Sequence, residues 1–207
     1  IVALKNSLFK NVKVLNKGNV DAIVKDLLVD GVLDLRDPKI ENIEGDKLFK
    51  SVIYDYSMNV QTMIKEIILP DTLTTIRANA FDSCWQLNKV IIPASVTTIG
   101  NKAFFCCEGL NSIIVDPSNK VYDSRENCNA LIETATNNLI KACNSTRIPD
   151  GIVSIEYEAF KDCHKLESLF IPIDNKDYGL SMYIDDCVLN YIMENNLYGG
   201  IHEKNSR

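Results

Sequence analysis

Seven cysteines and two histidines are the residues of this chain with the most reactive chemistry, and their spacing decides what they could do. The cysteines stand at 84, 106, 107, 128, 143, 163 and 187, and the histidines at 164 and 202. A zinc site needs paired C-x-x-C or His ligands at short spacing, and no such pair occurs. Cys163 and His164 are sequence neighbours, but consecutive side chains on an extended segment point to opposite sides, so the pair does not make a nucleophile and base. Cys128 as a nucleophile would need a base and an oxyanion site, and neither is legible around it. DNKDYGLSMYID, residues 174–185, imitates a calcium loop with Asp174 first and Gly179 sixth. It fails because Lys176 and Tyr178 stand at ligand positions and the last residue is Asp185 rather than Glu. The expectation is therefore a protein without metal, cofactor or catalytic residues. Asn144-Ser145-Thr146 is a glycosylation sequon by pattern, meaningful only in a eukaryotic secretory pathway.

Three of the cysteines mark something else. Pro70 and Pro93 are 23 residues apart, as are Pro149 and Pro172, and the same offsets recur behind each proline. Leu73, Ile76, Ala80-Phe81, Cys84 and Leu87 align with Val96, Ile99, Ala103-Phe104, Cys107 and Leu110, and with Ile152, Ile155, Ala159-Phe160, Cys163 and Leu166. Each copy closes on an L-x-x-L-x-L-like line, such as Leu87, Val90, Ile92 or Leu110, Ile113, Val115; Ile64, Ile67 and Leu69 supply an earlier one. Units of this length cannot each bury their own apolar face, so they must stack. The pattern predicts an α/β repeat solenoid of leucine-rich-repeat type, with short parallel strands at a 23-residue period and a proline ending each strand. Cys84, Cys107 and Cys163 then stack inside the coil as small apolar residues. A Cys84–Cys107 disulfide stays open as an alternative, since neighbouring coils could approach the roughly 4.4–6.8 Å between Cα atoms that it needs. The odd number of cysteines argues against a fully oxidised framework.

Between Asp116, which replaces a repeat proline, and Pro149 the spacing exceeds one period by ten residues. The excess falls in the polar, turn-rich DPSNKVYDSRENCN. NALIETATNNLIKAC after it reads as a hairpin, so the insertion spans about 116–143. Cys143, Thr146 and Ile148 resume the strand line, which makes five strand turns in all. Toward the start, NVDAIVKDLL reads as a short helix opened by Asn19 or Asp21, and VLDLRDPKIENIEGDKLF as a degenerate repeat with Ile40, Ile43 and Phe49 inward; SVIYDY is a candidate strand. Near the other end, Leu180, Tyr183, Ile184, Cys187, Val188, Tyr191 and Ile192 recur at helical spacing, as a capping helix or a partner-binding one. The expected organisation is an N-terminal cap with degenerate repeats over 1–63, regular repeats over 64–172, and a C-terminal capping helix and tail over 173–207.

The segments IIPASVTTIGNKAFFCCEGLNSI and IPDGIVSIEYEAFKDCHKLESLFIP resemble the BspA-type leucine-rich repeat of bacterial surface proteins, also found in treponemes and some parasitic protists. YDSRENCNALIETATNNLIKACNSTRIPDGIVSI is similar to a longer variant of that repeat common in gut bacteria. The resemblance covers about 64–172. It implies a non-catalytic protein-protein interaction module, secreted or cell-surface attached, of a kind linked to adhesion to host extracellular-matrix proteins and to other bacteria. It brings no binding motif that could be carried over residue by residue.

Charge narrows the partners independently. The 22 basic and 28 acidic residues leave a formal net charge of −6 without any basic run, which disfavours nucleic acid and anionic membranes. No apolar run is long enough to span a membrane, and IVALKNSLFKNVKV has no signal-peptide pattern; lacking an initial Met, the chain reads as a fragment or mature form, expected to be monomeric. If it binds protein, the outward side of the strand lines is the expected surface. Ile68, Ile91, Ile114, Arg147 and Phe170 would form an apolar row there, beside Lys89 and with Trp85 on a loop edge. The competing explanations are that β-branched residues merely suit strands, or that an end segment covers them. Two other roles share the fold: an intracellular scaffold or assembly module, and an accessory domain of a larger enzyme.

Overall fold

The computed structural model describes residues 11–36, 39–45, 47–49, 64–156 and 158–166. SVIYDY, the line Leu169–Ile171 with Phe170, and the apolar helical pattern from Leu180 to Ile192 lie outside the described residues.

The chain enters through strand β1 (Val14–Leu15) and helix α1 (Val20–Leu27), whose Val20, Ile23 and Val24 are buried. Asn19 sits at the helix start as the sequence predicts. Its side chain accepts from the Asn16 N–H and donates to the Val14 carbonyl, so it ties the turn before the helix rather than capping the first turn. β2 (Leu28–Val29) and β3 (Val32–Asp34) then form a hairpin through Asp30-Gly31, both at positive φ, the geometry for which Asp-Gly is suited.

From β3 onward the chain coils. β3, β5 (Glu66–Ile68), β7 (Lys89–Ile92) and β9 (Ser112–Val115) are parallel neighbours in one sheet, with β2 at its edge. The register runs Val32, Glu66, Lys89, Ser112 and Asp34, Ile68, Ile91, Ile114. A second parallel sheet joins β1, β4 (Asn42–Ile43), β6 (Thr75–Ile76) and β8 (Thr98–Ile99). The segment over 32–49 is thus a coil in its own right, with Ile40, Ile43 and Phe49 inaccessible to solvent.

A local device recurs in each coil. Lys47, Asn79, Lys102 and Glu158 have positive φ, and each is followed by a small or apolar residue and a buried phenylalanine: Phe49, Phe81, Phe104 and Phe160. A left-handed residue costs roughly 1–2 kcal/mol. Burying the phenylalanine it delivers returns about 1.5–3 kcal/mol, so the turn is stable only with its aromatic. Ser83, Cys106 and Asp162 mark a second left-handed position beside the stacked cysteines.

The 116–143 region departs from the coil. β10 (Tyr122–Asp123), β11 (Ala130–Glu133) and β12 (Asn138–Ala142) are antiparallel, and β12 pairs in parallel with β13 (Ser154–Ile155). The buried apolar residues separate accordingly. One cluster fills the coils from Leu15 to Val115 and reaches Tyr122, Leu131 and Cys143; the other holds Ile132, Leu139, Ile148, Phe160 and Cys163.

One strand reading needs correction. Cys143–Ile148 is not a strand of the β5-β7-β9 sheet, because its backbone makes other bonds. The Asn144 N–H donates to the Leu110 carbonyl and the Arg147 N–H to the Cys128 carbonyl. Thr146 Oγ1 accepts from the Cys143 N–H at 2.7 Å and donates to the Asn129 carbonyl at 2.6 Å. That turn replaces the ladder with side-chain bonds.

Candidate functional site

The outward face of β5, β7 and β9 carries two rows of side chains, because alternate residues on a strand face opposite ways. Ile67, Val90 and Ile113 point into the core. Between them and their inward successors stand Ile68, Ile91 and Ile114, in direct register. Ile91 is 38% exposed and Ile114 40%, while Ile68 is half-buried. The flanking row is polar: Glu66 and Lys89 approach to 3.9 Å, and Ser112 Oγ contacts Asn129 Oδ1 at 3.2 Å. A pair that open to water contributes little stability, so it is better regarded as part of the surface than as a brace.

Both ends of the isoleucine row are closed by polar groups. In register with Ile68 stands Asp34, held by Arg36 through Nη2–Oδ2 at 2.6 Å and Nε–Oδ1 at 2.9 Å. The Arg36 side-chain hydrogen bond holds the Asp34 carboxyl below the usual carboxylate range, against its partial burial. At the other end the Val115 N–H donates to Ser124 Oγ at 2.9 Å. A serine thus fills the place at the sheet edge where a further strand would pair.

Of the residues expected to form this surface, Ile68, Ile91, Ile114 and Lys89 come together. Arg147 is exposed but belongs to the Cys143–Thr146 turn, bonded to Cys128, so it does not extend the row. Phe170 lies outside the described residues. Trp85 is 48% exposed at the loop edge that precedes β7. The sequence reading missed the Asp34–Arg36 boundary and Ser124. The first was available in the short D-x-R spacing of LDLRD; the second depends on how the insertion folds back and carries no local signal.

The cysteines have a structural environment. Cys84, Cys107 and Cys163 are buried, and Cys84 and Cys107 are not joined in a disulfide. Burial pushes the Cys107 and Cys163 thiols up to about 12 and Cys128 to about 11. Such thiols do not ionise near neutral pH and make poor nucleophiles or metal ligands. Among the described residues no group of three or more His, Cys, Asp or Glu is placed to hold a metal ion, and no helix is long and apolar enough to cross a membrane.

Short parallel strands stacked coil upon coil, with inward aliphatic lines and a repeated Ala-Phe turn, define a leucine-rich-repeat solenoid, a class whose stacked repeats present an extended surface to protein partners. Residues 51–176 and 136–198 match the model described as BspA type leucine-rich repeat region (6 copies). The chain belongs to the BspA-type leucine-rich-repeat family. No curated protein matches it. Two solved structures are similar: the pneumococcal vaccine antigen PcpA, at 17% identity and a TM-score of 0.48, covering 67% of this chain and 33% of that one; and a leucine-rich cell surface protein of Faecalibacterium prausnitzii A2-165, at 25% identity and a TM-score of 0.47, covering 72% and 37%. The similarity spans about a third of the length of each of these proteins.

Proposed function

We propose that this chain is the protein-binding part of a bacterial cell-surface or secreted protein, acting as a monomer and without catalysis in adhesion to host matrix or to other cells. In that reading 1–63 and 173–207 are caps, and 64–172 carries the contact surface. The observation that supports it is the pair Ile91 and Ile114, in register on the outer face of a parallel sheet and each more than a third exposed. The pair stands out as two adjacent large aliphatics in register on one face, each partly open among the described residues. A partner that covered them would gain the burial of both side chains, while the Glu66–Lys89 row would form a polar rim.

The test is saturable binding to an immobilised panel of matrix and plasma proteins, run beside the double variant Ile91→Asp, Ile114→Asp with circular dichroism to show that it folds. The reading predicts binding by the parent and a loss of about tenfold or more in the variant. Equal binding by a folded variant would remove the strand face from the proposal. Absence of binding by the parent to every protein would end the matrix-adhesion reading.

A further inference from the structure

Ala130, Leu131 and Ile132 are consecutive residues of strand β11, and all three are buried. A strand that borders one core alternates buried and exposed side chains, so this one borders two. Leu131 belongs to the cluster that fills the coils up to Val115. Ala130 and Ile132 belong to the cluster of Phe160 and Cys163. Strand β12 keeps the same division: Leu139 and Ala142 join the second cluster, while Ile140 packs against the first.

Leu139 and Ala142 are three residues apart, a spacing that sets side chains on opposite faces of a regular strand. A bulge removes the conflict. Ile132 pairs with Leu139 and Leu131 with Lys141, which leaves Ile140 as the extra residue and returns Ala142 to the face of Leu139. The hairpin is also hydrogen-bonded on both sides. Toward the last coil, β12 pairs with β13 and the Ala142 N–H donates to the Ala159 carbonyl at 2.9 Å. Toward the earlier coils the bonds run through β10 and the residue after it, with β10 itself paired to β11. The Ile99 N–H of β8 donates to the Tyr122 hydroxyl and the Val115 N–H of β9 to Ser124 Oγ, each at 2.9 Å.

From this arrangement we infer that the β11–β12 hairpin is a shared wall that couples the two cores, so that the coils before and after the irregular region open as one body rather than as two arrays joined by a loop. Drawing Leu131 out of the first cluster displaces the backbone that holds Ala130 and Ile132 in the second. The bulge is the feature that makes this possible, because it lets one short hairpin present an apolar face to each side. A direct link between the coils also exists, the ion pair of Lys102 with Glu158 at 2.8 Å, and it must be separated from the wall by experiment.

Each core carries its own reporter, Cys107 in the first cluster and Cys163 in the second, both buried. The experiment equilibrates the 207-residue chain across a urea series, pulses it with iodoacetamide and reads the two cysteines separately by peptide mapping. In the parent their midpoints are expected to coincide. Leu131→Ala trims the face toward the first cluster and Ile132→Ala the face toward the second. Each is expected to lower both midpoints by the same amount, about 1–2 M urea. Leu131→Val and Ile132→Val make the same comparison with a smaller shift if an alanine variant does not fold. Glu158→Gln cuts the direct link and spares the hairpin, so it is expected to leave the two midpoints together. Separate midpoints in the parent, a Leu131 effect confined to Cys107, an Ile132 effect confined to Cys163, or separation in Glu158→Gln would each overturn the proposal.

Discussion

The ring of Phe81 lies 5.2 Å from that of Phe104 and within 8° of parallel to it, so the turn of one coil rests on the turn of the next through an aromatic face. Phe49 continues the stack on the other side of Phe81, at 5.2 Å and 13°. Phe81 is fully buried and touches both neighbours, which makes it the point where loss of one side chain weakens two coil interfaces at once. Phe81→Ala should cost about 3–5 kcal/mol in denaturant unfolding, and more than the same change at Phe160, which sits in the separate second cluster. A cost at Phe81 below that at Phe160 would show that the stack does not couple the coils.

The start of the insertion is tied to the preceding coil by the Asn119 amide. Asn119 Nδ2 donates to the carbonyls of Pro93 and Val96 at 2.8 and 2.9 Å, and Oδ1 accepts from the Val121 and Tyr122 N–H groups at 2.9 Å each. All four bonds are buried or nearly so, and removing the amide leaves their partners unsatisfied. Asn119→Ala should lower stability by about 2–4 kcal/mol. Asn119→Asp keeps the acceptor side but points a carboxylate oxygen at two carbonyls, so it should be worse at neutral pH and partly relieved in acid, where the protonated form donates again. Unfolding midpoints of both variants across pH distinguish these outcomes.

The strand lines and the inward cysteines were legible because burial repeats: each coil must place an aliphatic or small residue at the same offset, and the register Glu66, Lys89, Ser112 follows from that repetition. The coil at 143–148 was misread for the same reason. Cys143 and Ile148 keep the inward pattern and are buried, but the pattern reports which side chains face the core and not what the backbone bonds to. Thr146 and Asn144 offer hydrogen bonds that compete with the ladder, and there the backbone follows them. Of the candidate surface, Ile91 and Ile114 followed from alternation alone.

Acid should weaken the contact that Glu158 makes across the insertion. Glu158 bridges Lys102 at 2.8 Å and Lys161 at 2.7 Å, and both lysines also stand about 5 Å from the centre of the Phe105 ring. The side-chain hydrogen bonds from Lys102 and then Lys161 hold the Glu158 carboxyl below its ordinary value of 4.5. A carboxyl depressed in the folded state contributes stability above its unfolded value and loses it as pH falls through the folded one. Asp34, depressed chiefly by the Arg36 hydrogen bond, and Asp123, where the Arg125 and Thr134 bonds outweigh the larger opposing effect of burial, act with the same sign. The thermal midpoint should therefore decline below about pH 4.5, and Glu158→Gln should flatten part of that decline while lowering the midpoint at neutral pH. A variant with the same acid profile as the parent would remove Glu158 from the account.

Thiol labelling tests the coil interior residue by residue. Cys106 and Cys107 are adjacent, yet Cys107 turns into the stack while Cys106 is only half-buried and has its backbone N–H on Asp162 Oδ2 at 2.8 Å. Burial raises both thiols, Cys107 to about 12, so at pH 8 both are mainly protonated and accessibility decides the order. With limiting iodoacetamide on the native protein, peptide mapping should find Cys106 modified well ahead of Cys84, Cys107, Cys128, Cys143 and Cys163. Those five should become reactive together at the denaturant concentration where the coil unfolds, because no single coil can release its cysteine without giving up its contacts to the next. Native-state labelling of Cys107 at the rate of Cys106 would contradict the stacked arrangement. Release of Cys128 and Cys163 at lower denaturant than Cys84 and Cys107 would instead show the second cluster opening before the first.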